Sequence, residues 1–101
     1  MRYVLIRIVS NGGCSKITFT EALEAEIRRV FGEVGFAVLN LRVIDFESEP
    51  CQAIVRCSTS GVTNLKFVLS TIRNIGEQPC VLFSERTSGT LRSLRTRRVA
   101  G

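Results

Sequence analysis

Two amphipathic helical patterns sit among four short apolar runs in the order β-α-β-β-α-β, and that order limits the fold more than any single residue does. Residues 3–9 (YVLIRIV) are rich in β-branched side chains and read as a strand, followed by turn chemistry at Ser10-Asn11-Gly12-Gly13. Thr18 and Glu21 form a capping-box pattern that predicts a helix from about Phe19 to Phe31. Leu23, Ile27, Val30, Phe31 and Val34 recur at helical spacing as its buried stripe, and Gly32 and Gly35 stop it. Residues 36–47 predict a long second strand, Glu49-Pro50 a turn, and residues 51–58 a third strand. A second helix is predicted over Val62–Ile75, with Val62, Leu65, Leu69 and Ile72 inward and Gly76 at its end. Pro79 precedes a fourth strand, about Cys80 to Glu85, and Thr90 can cap a short final helix. This order is the split βαβ, ferredoxin-like (RRM-like) plan, a four-stranded antiparallel sheet with both helices on one face. Residues 1–87 would form that domain and residues 88–101 a loop and tail.

The residue inventory removes several kinds of chemistry. There is no histidine, so no Ser-His or Cys-His pair and no His-ligated metal can exist. The four cysteines (Cys14, Cys51, Cys57, Cys80) contain no C-x-x-C pair. Cys51 and Cys57, six residues apart on one strand, would stand ~20 Å from each other, too far to share a metal. They read as free, buried, small hydrophobes of a reducing compartment, and no metal or cofactor is expected. Asp45, Glu47 and Glu49 alternate at a strand end and share a face; magnesium is one reading, a solvated strand end the preferred one. An enzyme acting alone does not fit. With 101 residues, 45% of them apolar, the chain is a single globular domain. No apolar run nears the ~20 residues that span a bilayer. Tyr3-Val4-Leu5-Ile6 is broken by Arg7 without a cleavage pattern, so an intracellular, soluble protein is expected.

Net charge is concentrated at one end. From Arg86 onward there are five arginines (Arg86, Arg92, Arg95, Arg97, Arg98) and no acid, while the rest carries nine bases and nine acids. An arginine fork pairs bidentately with phosphate and stays charged at any biological pH, so a polyanion is the natural counterpart. A solubilising terminus is the alternative. The sheet itself lacks base-stacking aromatics: residues 51–58 hold none, and the first strand offers only Tyr3. If Val4, Ile6 and Ile8 face the helices, the opposite face carries Tyr3, Leu5, Arg7 and Val9, joined by Arg42, Ile44, Ile54 and Arg56. Aliphatics mixed with arginine suit a protein interface at Tyr3, Leu5, Arg7, Arg42, Ile44, Ile54 and Arg56. The alternative is a face partly covered by the chain's own tail.

Four short stretches carry a resemblance. Arg2-Tyr3-Val4-Leu5 opens the chain, Phe31-Gly32-Glu33-Val34-Gly35 ends the first helix, Val55-Arg56-Cys57 lies in the third strand, and Ser88-Gly89-Thr90-Leu91-Arg92 follows the fourth. In that order they resemble the ribonuclease P protein component 2 family, the small subunit of archaeal and eukaryotic ribonuclease P and RNase MRP, over nearly the whole chain. The resemblance implies an RRM-like subunit with no active site of its own. It works in a particle whose RNA cleaves the 5′ leader of precursor tRNA, and possible rRNA processing goes with RNase MRP. The implied partners are that RNA, a TIM-barrel-like protein subunit, and a second RRM-like subunit or another copy of the chain. The implied location is the nucleus or nucleolus in a eukaryote and the cytoplasm otherwise. In an RNA-facing role, Gly89 would let backbone approach phosphate while Ser88 and Thr90 offer hydroxyls. Arg86, Arg92, Arg95, Arg97 and Arg98 would neutralise phosphates, with Lys66 and Arg73 as further candidates. Two rivals stand beside this reading: a small-molecule-sensing ferredoxin-like domain that dimerises through its sheet, and a metal or redox module.

Overall fold

In the computed structural model, residues 1–97 are described; Arg98 lies outside them, as do the side chains of Arg95 and Arg97. The elements are β1 (Arg2–Ser10), α1 (Lys16–Leu39), β2 (Arg42–Ser48), β3 (Cys51–Cys57), a 3₁₀ turn (Thr59–Gly61), α2 (Val62–Thr71), β4 (Asn74–Ile75), β5 (Gln78–Ser88) and α3 (Leu91–Arg97). The sheet is antiparallel, with strand order β2-β3-β1-β5-β4. The described residues form five strands and three α-helices, where the sequence pattern predicted four strands and two main helices. No helix of the described residues is long and apolar enough to cross a membrane.

Helix α1 begins earlier than the capping-box pattern places it. Ser15, not Thr18, is the cap: its extended backbone lets Oγ accept from the Thr18 amide at 3.1 Å. Gly32 interrupts the helix at φ 75°, ψ 178°, a conformation essentially reserved for glycine. A second helical stretch then covers residues 33–39, so residues 36–39 are helical rather than strand. The break resets the helical phase. Val34, expected in the buried stripe, is 78% exposed, whereas Leu39 enters the core. Asn40, left-handed at φ 52°, closes the stretch and releases the chain into β2.

Helix α2 stops at Thr71, short of the predicted Ile75, because Ile72 turns extended. Ile75 then reaches the core as part of the β4–β5 hairpin, where Gly76 (φ 61°) makes the turn. Strand β5 is longer than expected because it pairs with β1 from Ser10↔Cys80 to Tyr3↔Ser88, with a bulge between Leu5 and Ile6.

Two cores result, one on each face of the sheet. Val4, Ile6, Ile8, Ala53, Val55 and Leu82 pack beneath Phe19, Leu23, Ile27, Leu65, Val68 and Leu69 of α1 and α2. On the other face, Leu5 and Ile54 pack with Leu94 of α3, and Tyr3, Ile44 and Leu91 flank them. Burying a side chain of the size of Leu94 stabilises by ~1.5–3 kcal/mol, which anchors a helix too short to persist alone.

Candidate nucleic-acid interface

The S-G-T segment sits where β5 hands over to α3. Ser88 is the last residue of β5 and pairs with Tyr3 on the central strand, so the loop that follows is fixed at one end of the sheet. Ser88 Oγ accepts from the Thr90 amide at 3.1 Å, and Thr90 Oγ1 accepts from the Ser93 amide at 3.4 Å. Thr90 is thus the cap of α3, as its sequence position predicts. Gly89 is exposed, and a Cβ built there would lie 2.5 Å from Nη1 of Arg2. The absent side chain therefore leaves room for the Arg2 guanidinium. Arg2 did not stand out by composition or spacing; only the Tyr3↔Ser88 pairing brings it to the loop.

Among the expected RNA-binding residues, Ser88, Gly89, Thr90 and Arg92 lie together, with Arg92 exposed on α3. Arg86 is exposed opposite Leu5, on the strand leading into the loop. Arg95 and Arg97 belong to α3 by backbone. Lys66 is exposed on α2, which packs on the other side of the sheet from α3, and Arg73 is exposed in the link to β4. Those two are not brought to the S-G-T loop.

The expected protein-facing residues need correction. Leu5 (4% exposed) and Ile54 (0%) are interior, closed over by Leu94. Tyr3 and Ile44 are half-buried at the margin of the same cluster. The signal for this cover is Leu91 and Leu94, three residues apart directly after the capping Thr90. Arg7 remains exposed but is engaged, its Nε 2.9 Å from Glu85 Oε1 and its guanidinium 5.2 Å from the Phe83 ring centre. Arg42 is exposed and Arg56 half-buried. What α3 leaves open on this face is an apolar strip of Val9, Val81 and Phe83, set by the Val9↔Val81 and Arg7↔Phe83 pairings.

The opposite end of the sheet holds an open groove of about 1310 Å3, bordered by the β1–α1 loop and the β2–β3 turn. Cys14 and Cys51 stand there with sulfurs 3.8 Å apart, half-buried and unlinked, while Cys57 and Cys80 are buried. Burial, with Cys51 beside it, pushes the Cys14 thiol up to about 12, and burial also raises Cys57 and Cys80. Those three thiols stay protonated at neutral pH, which is the state of packing groups rather than nucleophiles. A groove this open does not enclose a small molecule as a sensing pocket does.

Comparison with known proteins agrees with the fold. Ribonuclease P protein component 2 of Pyrococcus horikoshii is 27% identical over 99 residues, covering 98% of this chain and 82% of that protein. Its namesake in Methanocorpusculum labreanum is 29% identical over 94 residues, covering 93% and 63%. A chain in the cryo-EM structure of yeast ribonuclease MRP superposes with a TM-score of 0.69 over 90% of this chain and 75% of its own, at 16% identity, a likeness of fold. The profile of the Rpp14/Pop5 family matches residues 2–99, and the chain belongs to that family.

Proposed function

We propose that the chain is a non-catalytic protein subunit of a ribonuclease P or RNase MRP particle, holding the RNA in its working shape for tRNA 5′-leader processing. The observation that carries this reading is one basic end on a charge-balanced body. Ser88, Gly89, Thr90 and Arg92 are gathered there beside Arg2, and Arg86 leads into them. Phosphate contacts of this kind position an RNA without reading its sequence. The lack of a base-stacking aromatic row on the sheet, and the closure of part of that face by α3, fit a role in backbone contact. The exposed strip of Val9, Val81 and Phe83 supplies a surface for a protein subunit of the same particle, either a TIM-barrel-like partner or a second RRM-like chain. Four free thiols support work in a reducing, intracellular setting.

The test is affinity capture of the tagged full chain, with sequencing of the RNA and identification of the proteins recovered. A ribonuclease P or MRP RNA, recovered with a TIM-barrel-like protein, is the expected result. Recovery of the chain alone, or with a metabolite and no RNA, would overturn the reading in favour of a sensing domain.

A further inference from the structure

Three arginines outside the tail stand at the S-G-T end of the sheet, and among the described residues none of them has a carboxylate to answer it. Arg42 on edge strand β2 is the direct partner of Arg56 on β3. Arg56 is in turn the partner of Tyr3 on β1, and Tyr3 of Ser88 on β5. One straight row thus crosses four strands, Arg42–Arg56–Tyr3–Ser88, spanning about 14 Å at ~4.8 Å per strand. Arg2, next to Tyr3 and therefore directed to the opposite face of β1, reaches the edge of the sheet with its guanidinium at Gly89, where the row ends.

Like charges placed directly opposite across two strands repel and destabilise the pair. Elsewhere the chain avoids such a conflict: Arg7 pairs with Glu85, Arg28 with Glu24 and Glu33, and Arg29 with Glu26. Among the described residues, Arg2, Arg42 and Arg56 make no ion pair. Arg56 is odd in a second way. It is half-buried, and its Nε is shut off from solvent without a hydrogen-bond partner. An unanswered donor of that kind carries the full cost of lost hydration, which an incoming anion relieves.

We propose that Arg42 and Arg56, continued by Arg2, form a second phosphate-binding track that carries the RNA backbone from the S-G-T loop across the end of the sheet. This inference rests on the RNA-binding reading above and assigns Arg42 and Arg56 to RNA rather than to a protein partner. The occupant is a phosphodiester chain because the row offers adjacent positive groups, and its single aromatic, Tyr3, is partly buried against the Leu5, Ile54 and Leu94 cluster rather than presented as a stacking platform. Guanidinium forks suit phosphate oxygens in that arrangement. The track lies beside the patch that α3 covers, so tail and row can engage one RNA together.

The test uses the full chain and an in vitro transcribed ribonuclease P RNA, with affinity followed across a salt series. Arg42→Ala/Arg56→Ala is expected to weaken binding on the order of tenfold and to lower the log–log salt slope by about 1.5, at ~0.7–0.9 per lost phosphate contact. A thermal melt checks that the variant is folded. If it is not, Arg42→Gln alone, on the exposed edge strand, should lower the slope by about 0.8. A folded variant with unchanged slope and affinity overturns the track. So does loss of binding to poly-glutamate while RNA binding is intact, which would assign the row to an acidic protein. If the unaltered chain binds no RNA, the subunit reading itself falls, and the two failures are told apart.

Discussion

Gly32 and Glu26 show how much hangs on single residues in α1. Gly32 holds φ 75° with open space around it, so an added methyl meets no neighbour and the cost is purely conformational. Gly32→Ala should cost ~1–3 kcal/mol and lower the melting temperature by roughly 5–15 °C. An unchanged melt would show that the chain tolerates a regular helix there. Glu26 accepts two hydrogen bonds from Arg29 and one from Thr71, tying α1 to α2. The Arg29 fork first, then the Thr71 hydroxyl, pull its carboxyl down to about 2 from 4.5. A depressed carboxyl stabilises the fold above its unfolded pKa, and that stability is lost as pH falls from 4.5 through 2. Arg29 is two-thirds exposed, so solvent screening reduces the contribution to about 1 kcal/mol. Glu26→Gln should therefore melt roughly 4–8 °C below the unaltered protein at pH 7 and level with it near pH 2. A gap that persists in acid would assign the effect to packing.

At the scale of elements, α3 decides which residues of the sheet are interior. Leu94→Ala removes the side chain that closes over Leu5 and Ile54, and should destabilise by ~2–3 kcal/mol. It should also expose the amides of α3 to hydrogen exchange; a variant that keeps both stability and protection would show that α3 is held by other contacts. Much of the element order is legible in the sequence. Turn residues bracket β1, β3 and the start of α2, and Thr90 before Leu91 and Leu94 marks α3. The errors fall where local pattern has two solutions. Residues 36–39 (FAVL) form an apolar run that continues into the strand pattern of β2, yet Gly32 lets the helix restart and Asn40 closes it. Residues 72–75 continue the apolar spacing of α2, but burial of Ile75 is better met by a hairpin turning at Gly76. The docking of α3 depends on Leu5 and Ile54, which are distant in sequence from Leu94, and no local period reports that.

For the whole molecule, the charge distribution is the property that links sequence to function. Carboxylates answer the arginines of α1 and Arg7, while among the described residues Arg2, Arg42, Arg56, Arg86 and Arg92, which make no ion pair, stand toward the S-G-T end of the sheet. The tail was legible from composition. The placement of Arg2, Arg42 and Arg56 at the S-G-T end was not, because strand register rather than spacing brings those residues to one end of the sheet. The most direct measurement compares the salt dependence of binding to a ribonuclease P RNA for the unaltered chain and for Arg92→Gln/Arg95→Gln/Arg97→Gln/Arg98→Gln. Glutamine retains helix propensity and leaves Leu94 in place, so the change is one of charge alone. A fall in the log–log slope of roughly 3, at ~0.7–0.9 per phosphate contact, is the predicted result. Equal slopes for the two proteins would contradict the account, because the tail would then take no part in holding the RNA.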